Sequence, residues 1–168
     1  MFPIRDSQGQ LVGFGARSLD DSPPKYLNSP KTATFDKGHL LYGLPLAREG
    51  IRQKGAVIIV EGYMDVIAAH QAGSTNAVAS MGTSLTPFQT ARLHGLASTV
   101  VLALDSDLAG QEAILRSLES AWQVFQRRAA MRSKGTTLFE RFRGPELRIA
   151  VLPPGKDPDD LIHEDYEE

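Results

Sequence analysis

The side chains best suited to chemistry are carboxylates, and they recur in one pattern. Glu61 lies in Val60-Glu61-Gly62-Tyr63-Met64-Asp65, directly after the β-branched run Ala56–Val60. Asp105 and Asp107 lie in Leu104-Asp105-Ser106-Asp107, directly after the run from Thr99 to Leu104. Asp157 and Asp159 follow a further run from Leu147 to Leu152. Residues two apart share a face while the chain stays extended, so Asp105 and Asp107 point the same way. Carboxylates crowded at one place repel, and a cation relieves that repulsion. An all-oxygen donor set without His or Cys favours Mg²⁺ or Mn²⁺ over zinc. The sequence has no cysteine, which also excludes disulfides, Cys-based zinc sites and thiol catalysis. The pattern supports metal-assisted phosphoryl chemistry. Each piece also has a plainer use. A lone Asp after a strand commonly caps a helix, Asp65 suits the positive end of its own helix, and Asp157 before Pro158 can open a turn. Three acidic strand ends in series favour the chemical reading.

Ligands of open α/β sheets collect beyond the carboxyl ends of the strands, so the elements that must position these residues are strands and their following helices. From Ala56 the rhythm alternates. Strands are predicted at Ala56–Val60, Asn76–Ala79, Thr99–Leu104 and Leu147–Leu152. Helices are predicted at Met64–Gln71 with Gly73 as its cap, and from Thr86-Pro87 to about Leu93. A longer helix carries the stripe Leu115, Leu118, Trp122 and Phe125. Such alternation implies a mostly parallel sheet with helices on both faces. The first fifty residues differ. Phe2–Ile4 and Leu11–Arg17, joined by Asp6–Gly9, read as a hairpin, and Lys25–Pro30 as an extended or turn segment. A short helix from Gly43 to Gln53 ends near Gly55. The expected division is therefore a small hairpin and loop unit at 1–54 and an α/β unit at 55–168.

With 168 residues, 42% hydrophobic and 23% charged, the chain has the composition of a globular domain that can bury a core. The longest apolar run has five residues, far too short to span a bilayer. The N-terminus lacks the pattern of a secretory signal, so a cytoplasmic location without membrane contact is expected. The net charge of −2 hides segregation: residues 1–60 carry +3, 61–126 carry −4, 127–148 carry +5 and 149–168 carry −6. Local basic surfaces beside an acidic cluster suit phosphate-bearing ligands.

The set Glu61-Gly62-Tyr63-Met64-Asp65, Asp105-Ser106-Asp107-Leu108-Ala109-Gly110 and Asp157-Pro158-Asp159 resembles the Toprim domain shared by primases and topoisomerases. Upstream, Gly13-Phe14-Gly15-Ala16-Arg17, Pro24-Lys25-Tyr26-Leu27-Asn28-Ser29-Pro30 and Leu41-Tyr42-Gly43 resemble bacterial replicative DNA primases, as does Asn76–Thr83. The resemblance implies an RNA polymerase that builds short primers on single-stranded DNA from nucleoside triphosphates. It implies Glu61, Asp105 and Asp107 as the central acidic residues, with Asp65, Asp157 and Asp159 supporting metal or nucleotide binding. Two Mg²⁺ or Mn²⁺ ions would serve a 3′-hydroxyl attacking the α-phosphate, with pyrophosphate leaving. By the same resemblance Arg17, Lys25, Tyr26, Asn28 and Lys37 contact nucleic acid or nucleotide.

Primases of this kind also carry an N-terminal zinc-binding domain and a C-terminal domain that meets the replicative helicase. Neither is expected in this sequence, which reads as an excised part of the catalytic core. The basic segment Arg127–Arg148 is longer than the resemblance leads one to expect. Two other classes stay open: another Toprim enzyme, either a topoisomerase or a nuclease, or a phosphatase-like α/β enzyme with Asp105 as nucleophile. An isolated fragment that only binds metal and nucleotide is a third.

Overall fold

A computed structural model describes residues 1–20, 23–82, 84–104, 115–119, 124, 145–151, 153 and 158–165. Asp105, Asp107, Asp157, Trp122, Phe125 and most of the basic segment (127–144) lie outside these residues. Asp159 belongs to a described helix at backbone level only.

Two sheets organise the chain. Strands β1 (Phe2–Arg5), β2 (Leu11–Arg17) and β3 (Tyr26–Asn28) form an antiparallel sheet in that order. The predicted hairpin is β1–β2, closed by a turn in which Gly9 takes φ +84°. The third strand is the part the sequence left as merely extended. Three residues carry little propensity signal, and β3 exists through its ladder to β2, in which Gly15, Ala16 and Arg17 face Asn28, Leu27 and Tyr26. Ser29 extends the pairing, its hydroxyl accepting the Phe14 N–H at 3.0 Å.

A 3₁₀ turn, Lys37–His39, follows, capped by Asp36. Helix α1 (Leu44–Lys54) ends at Gly55, whose φ of +62° is the left-handed conformation that glycine adopts without strain. Then come β4 (Ala56–Val60), α2 (Tyr63–Gln71), β5 (Ala77–Ala79), α3 (Pro87–Leu93), β6 (Thr99–Leu102), β7 (Glu146–Ile149) and α4 (Pro158–Asp165), with residues 115–119 also helical. The four strands are parallel in the order β5-β4-β6-β7. Thr86 caps α3, its hydroxyl accepting the Gln89 N–H at 3.1 Å, with Pro87 in the first turn, as the sequence predicts.

Strand alternation sorts the core into two layers. Val57 and Ile59 of β4 face a cluster with Leu44, Ala47 and Ile51 of α1 and Leu93 of α3. Val60 faces the other way, with Ala79, Ala103 and Val66 of α2. Helices thus cover both faces, which is why these parallel strands read as continuous apolar runs. A third cluster joins the sheets: Ile4, Phe35, Leu40, Tyr63 and Met81. Tyr42 makes a single bridge with Ala79 at the outer edge of β5, whose residues are all buried.

Three predicted details are corrected. Strand β6 ends two residues early, though Ala103 still donates to the Ile59 carbonyl at 2.9 Å. Strand β7 stops at Ile149, and Val151 is fully outside the sheet at 91% exposure, because an edge strand lasts only as long as its partner. Leu115 is 68% exposed, whereas Leu118 packs on the core and Ser117 is buried, accepting the Leu85 N–H at 2.8 Å. Among the described residues no helix is long and apolar enough to cross a membrane.

Candidate functional site

The two sheets meet around a cleft of about 520 Å³. Its walls include Arg17, Lys25, Tyr26, Asn28 and Lys37 on one side, and Glu61, Asp65 and Asp160 on the other. All five basic and polar residues singled out in the sequence therefore share one cavity with two of the acidic ones. Asp160 was missed, because the sequence pattern pointed to its neighbours Asp157 and Asp159. Helix α4 packs against α2, and this docking brings Asp160 to the cleft.

The acidic wall is set by the parallel sheet. Glu61 follows β4, and β4 lies between β5 and β6, so the connections leaving β4 and β6 diverge. That divergence is the switch point at which such sheets open a crevice. Asp65 sits in the first turn of α2 and is buried at 7% exposure. One of its oxygens accepts the Gly62 N–H at 2.8 Å, which satisfies a helix-start donor and fixes the Glu61-Gly62 bend. The loop after β5 is tied to the same place, since Met81 N–H donates to the Glu61 carbonyl at 3.0 Å. Met81 holds φ +63°, an uncommon conformation for a side chain of this size, beside the cleft.

The basic wall depends on Tyr63. Its ring stacks on Phe2 at 5.0 Å and meets Tyr42 edge-on at 4.7 Å, and its hydroxyl donates to Asn28 Oδ1. Burial, with Tyr42 adding to it, pushes the Tyr63 phenol up to about 12, so it stays a protonated donor across the neutral range. Burial likewise raises the pKa of Tyr42. The glycines of Gly13-Phe14-Gly15 gain their reason here. A Cβ on Gly15 would lie 2.5 Å from the Tyr63 ring, and one on Gly13 would lie 2.8 Å from the Phe35 ring. Asn28 therefore anchors β3 to α2. Arg17 lies over the Tyr26 ring at 5.7 Å, a cation–π distance.

Lys37 is held from behind. Asp36 caps its 3₁₀ turn by accepting the Gly38 N–H at 3.0 Å, and its carboxyl lies below the usual range because of Lys31 first and Gly38 second. Gln89, fully buried on α3, donates to the carbonyls of Lys37 at 3.0 Å and Leu40 at 2.8 Å. Thr86 donates to the Gly38 carbonyl at 2.6 Å. Sequence reading assigned Thr86 to a cap and gave Gln89 no role, although the Thr86-x-x-Gln89 spacing is that of a capping box and Gln89 Oε1 accepts the Thr86 N–H at 2.9 Å. Only its bonds to carbonyls some 50 residues away leave no local signal.

Among the described residues, no group of three or more His, Asp or Glu stands close enough to hold a metal ion. Asp105, Asp107 and Asp157 are not among those residues, nor is the side chain of Asp159. The acidic donors that line the cleft are all carboxylates, the donor class that suits Mg²⁺ or Mn²⁺.

A parallel sheet with an acidic switch point, joined to a small basic sheet, places the chain in the Toprim class. The Toprim domain family matches residues 55–130, and the N-terminal domain of the DNA primase catalytic core matches residues 1–48. The chain belongs to the DNA primase family, as a segment of its catalytic core. It is 47% identical over 163 residues to the DNA primase of Deinococcus radiodurans, covering 96% of this chain and 25% of that protein. The solved catalytic core of Escherichia coli primase matches with a TM-score of 0.81 at 41% identity, covering 98% of this chain and 47% of that one. A DnaG primase catalytic domain bound to single-stranded DNA matches with a TM-score of 0.81 at 40% identity, covering 99% and 49%. The chain thus spans about a quarter of the length of its curated relatives and about half of the solved cores.

Proposed function

We propose that this chain is the Toprim-containing part of a cytoplasmic nucleotidyltransferase that makes RNA primers on single-stranded DNA. The observation that carries this reading is the single cleft in which Arg17, Lys25 and Lys37 face Glu61, Asp65 and Asp160. Cations opposite carboxylates give a nucleoside triphosphate and a strand separate anchors from those of its counter-ions. In this reading residues 1–54 supply the phosphate anchors, and residues 55–168 supply the acidic centre.

Arg17, Lys25 and Lys37 hold backbone or triphosphate oxygens, and Tyr26, backed by Arg17, offers a ring to a base. Asn28 keeps this wall aligned through Tyr63. Glu61, Asp105 and Asp107 form the acidic centre, with Asp65, Asp157 and Asp159 in support. Mg²⁺ or Mn²⁺ held by these carboxylates would neutralise the charge that builds as the primer 3′-hydroxyl displaces pyrophosphate from the α-phosphorus. The chain itself contributes position and charge complementarity, the larger part of catalysis in phosphoryl transfer.

The test is ligand-linked stability. Mg²⁺ or Mn²⁺ at roughly 3 to 30 mM, the range of weak all-oxygen sites, is expected to raise the melting temperature. Asp105→Asn with Asp107→Asn is expected to remove the rise. Melting curves indifferent to metal would remove the acidic centre from the proposal.

A further inference from the structure

Three arginines outside the cleft converge on one turn. Arg48 of α1 donates to the Ser7 carbonyl at 3.0 Å, and Arg92 of α3 donates to the Ser7 hydroxyl at 3.0 Å. Arg5 donates to the Gly9 carbonyl at 2.8 Å in the same turn. All three are exposed, and among the described residues none meets a carboxylate in an ion pair. Asp6 is occupied within the turn, accepting the N–H groups of Gln8 and Gln10, each at 2.9 Å. A guanidinium has five N–H donors, so the single bond that each makes leaves most of its capacity toward solvent. Like charges gathered in this way repel, and an anion offsets that cost.

The cluster also has a route to the cleft. Phe88 is 61% exposed and lies four residues before Arg92, hence on the same side of α3. The exposed His39 ring packs edge-on against it at 4.0 Å. His39 and Lys37 belong to one 3₁₀ turn, and Lys37 lines the cleft. Phosphate anchors therefore stand at both ends of an exposed aromatic pair. Cationic groups beside aromatic faces are the means by which single strands are held without sequence preference.

We propose that Arg5, Arg48 and Arg92, with His39 and Phe88, form a second surface for single-stranded nucleic acid that continues from the rim of the cleft. It rests on the reading of the cleft as a strand-binding site and extends it to residues that reading does not use. The plainer role of the arginines is to staple the hairpin turn to α1 and α3, which predicts no effect on ligands.

Labelled oligothymidylates of about 5 and about 16 nucleotides, titrated against the chain at several salt concentrations, separate the two. Each lost phosphate contact lowers the salt slope of single-strand binding by about 0.7. Arg48→Ala with Arg92→Ala is expected to lower the slope for the longer oligonucleotide by about 1.4 and to leave the shorter one unchanged. Phe88→Ala is expected to weaken the longer one about tenfold with its slope intact. Arg52→Ala with Arg148→Ala removes the same charge from positions paired with Glu49 and Glu146, and is expected to change neither slope. If the alanine pair does not fold, Ser7→Glu sets a carboxylate between the guanidiniums and should reproduce the loss. Wild-type slopes in the arginine and Ser7 variants, or an equal loss in the control, overturn the proposal. Arg17→Ala, Lys25→Ala and Lys37→Ala combined in one variant with unchanged slopes at both lengths, beside an arginine pair that still acts, would instead refute the cleft reading and leave this surface standing.

Discussion

The antiparallel and parallel sheets build opposite walls of one cleft, and they hold those walls by different physics. Glu61 and Asp65 are fixed by backbone: a strand end in a four-stranded ladder, and a helix start that the Asp65 carboxylate itself completes. Arg17 and Lys25 extend from a three-stranded sheet whose position depends on rings. Tyr63 and Phe35 fit against it only because Gly15 and Gly13 leave room. Backbone ladders tolerate change at a side chain, whereas a ring packed against a glycine does not. The acidic wall should therefore lose function without losing place, and the basic wall should lose place before it loses charge.

The largest expected effect breaks the comparison at its chemical end. Glu61→Gln in a complete primase should lower primer synthesis by about a hundredfold or more, the scale of losing one preorganised electrostatic group. Strand affinity should hold or tighten, since a negative charge leaves the phosphates' surroundings. Primer assays beside strand titrations decide this, and a parallel fall of both would mean that Glu61 supports the fold instead.

Next in size is the joint between the sheets. Gly15→Ala drives a methyl group into the Tyr63 ring and is expected to cost about 1–3 kcal/mol in urea denaturation. The metal-dependent rise in melting temperature should survive in this variant if the acidic wall stands by itself.

Tyr63→Phe sharpens the same point with a smaller change. Losing the hydrogen bond to Asn28 should cost about 1 kcal/mol at neutral pH. The pH dependence follows from linkage. The Tyr63 phenol ionises near 10 when unfolded and near 12 when folded, so the unfolded chain releases its proton first. This contribution is present in full below about pH 10 and is lost as pH rises toward 12. The phenylalanine variant should show a flatter alkaline limb, and an identical limb would mean that other groups govern it.

The smallest effect concerns single charges. Lys25→Ala or Arg17→Ala should each lower the salt slope for single-strand binding by about 0.7 while leaving metal stabilisation intact. Equal slopes for wild type and Lys25→Ala would remove Lys25 from the phosphate anchors.

Sequence by itself determined whatever depends on near neighbours. The β-branched run at Ala56–Val60, the Thr86-Pro87 helix start and the left-handed Gly55 each act within a few residues, and all three stand where the sequence puts them. The family motifs carried the five residues of the basic wall and two of the acidic wall into one cleft. Tertiary structure alone decided the rest. Strand β3 is too short to declare itself without β2, and Asp160 reaches the cleft only once α4 docks on α2. Gln89 finds its carbonyls, Tyr63 finds Asn28, and Arg48 and Arg92 find Ser7 across 35 to 85 residues of chain. Local propensity cannot encode such meetings, because their free energy comes from burying rings and satisfying polar groups between segments that only the folded core brings together.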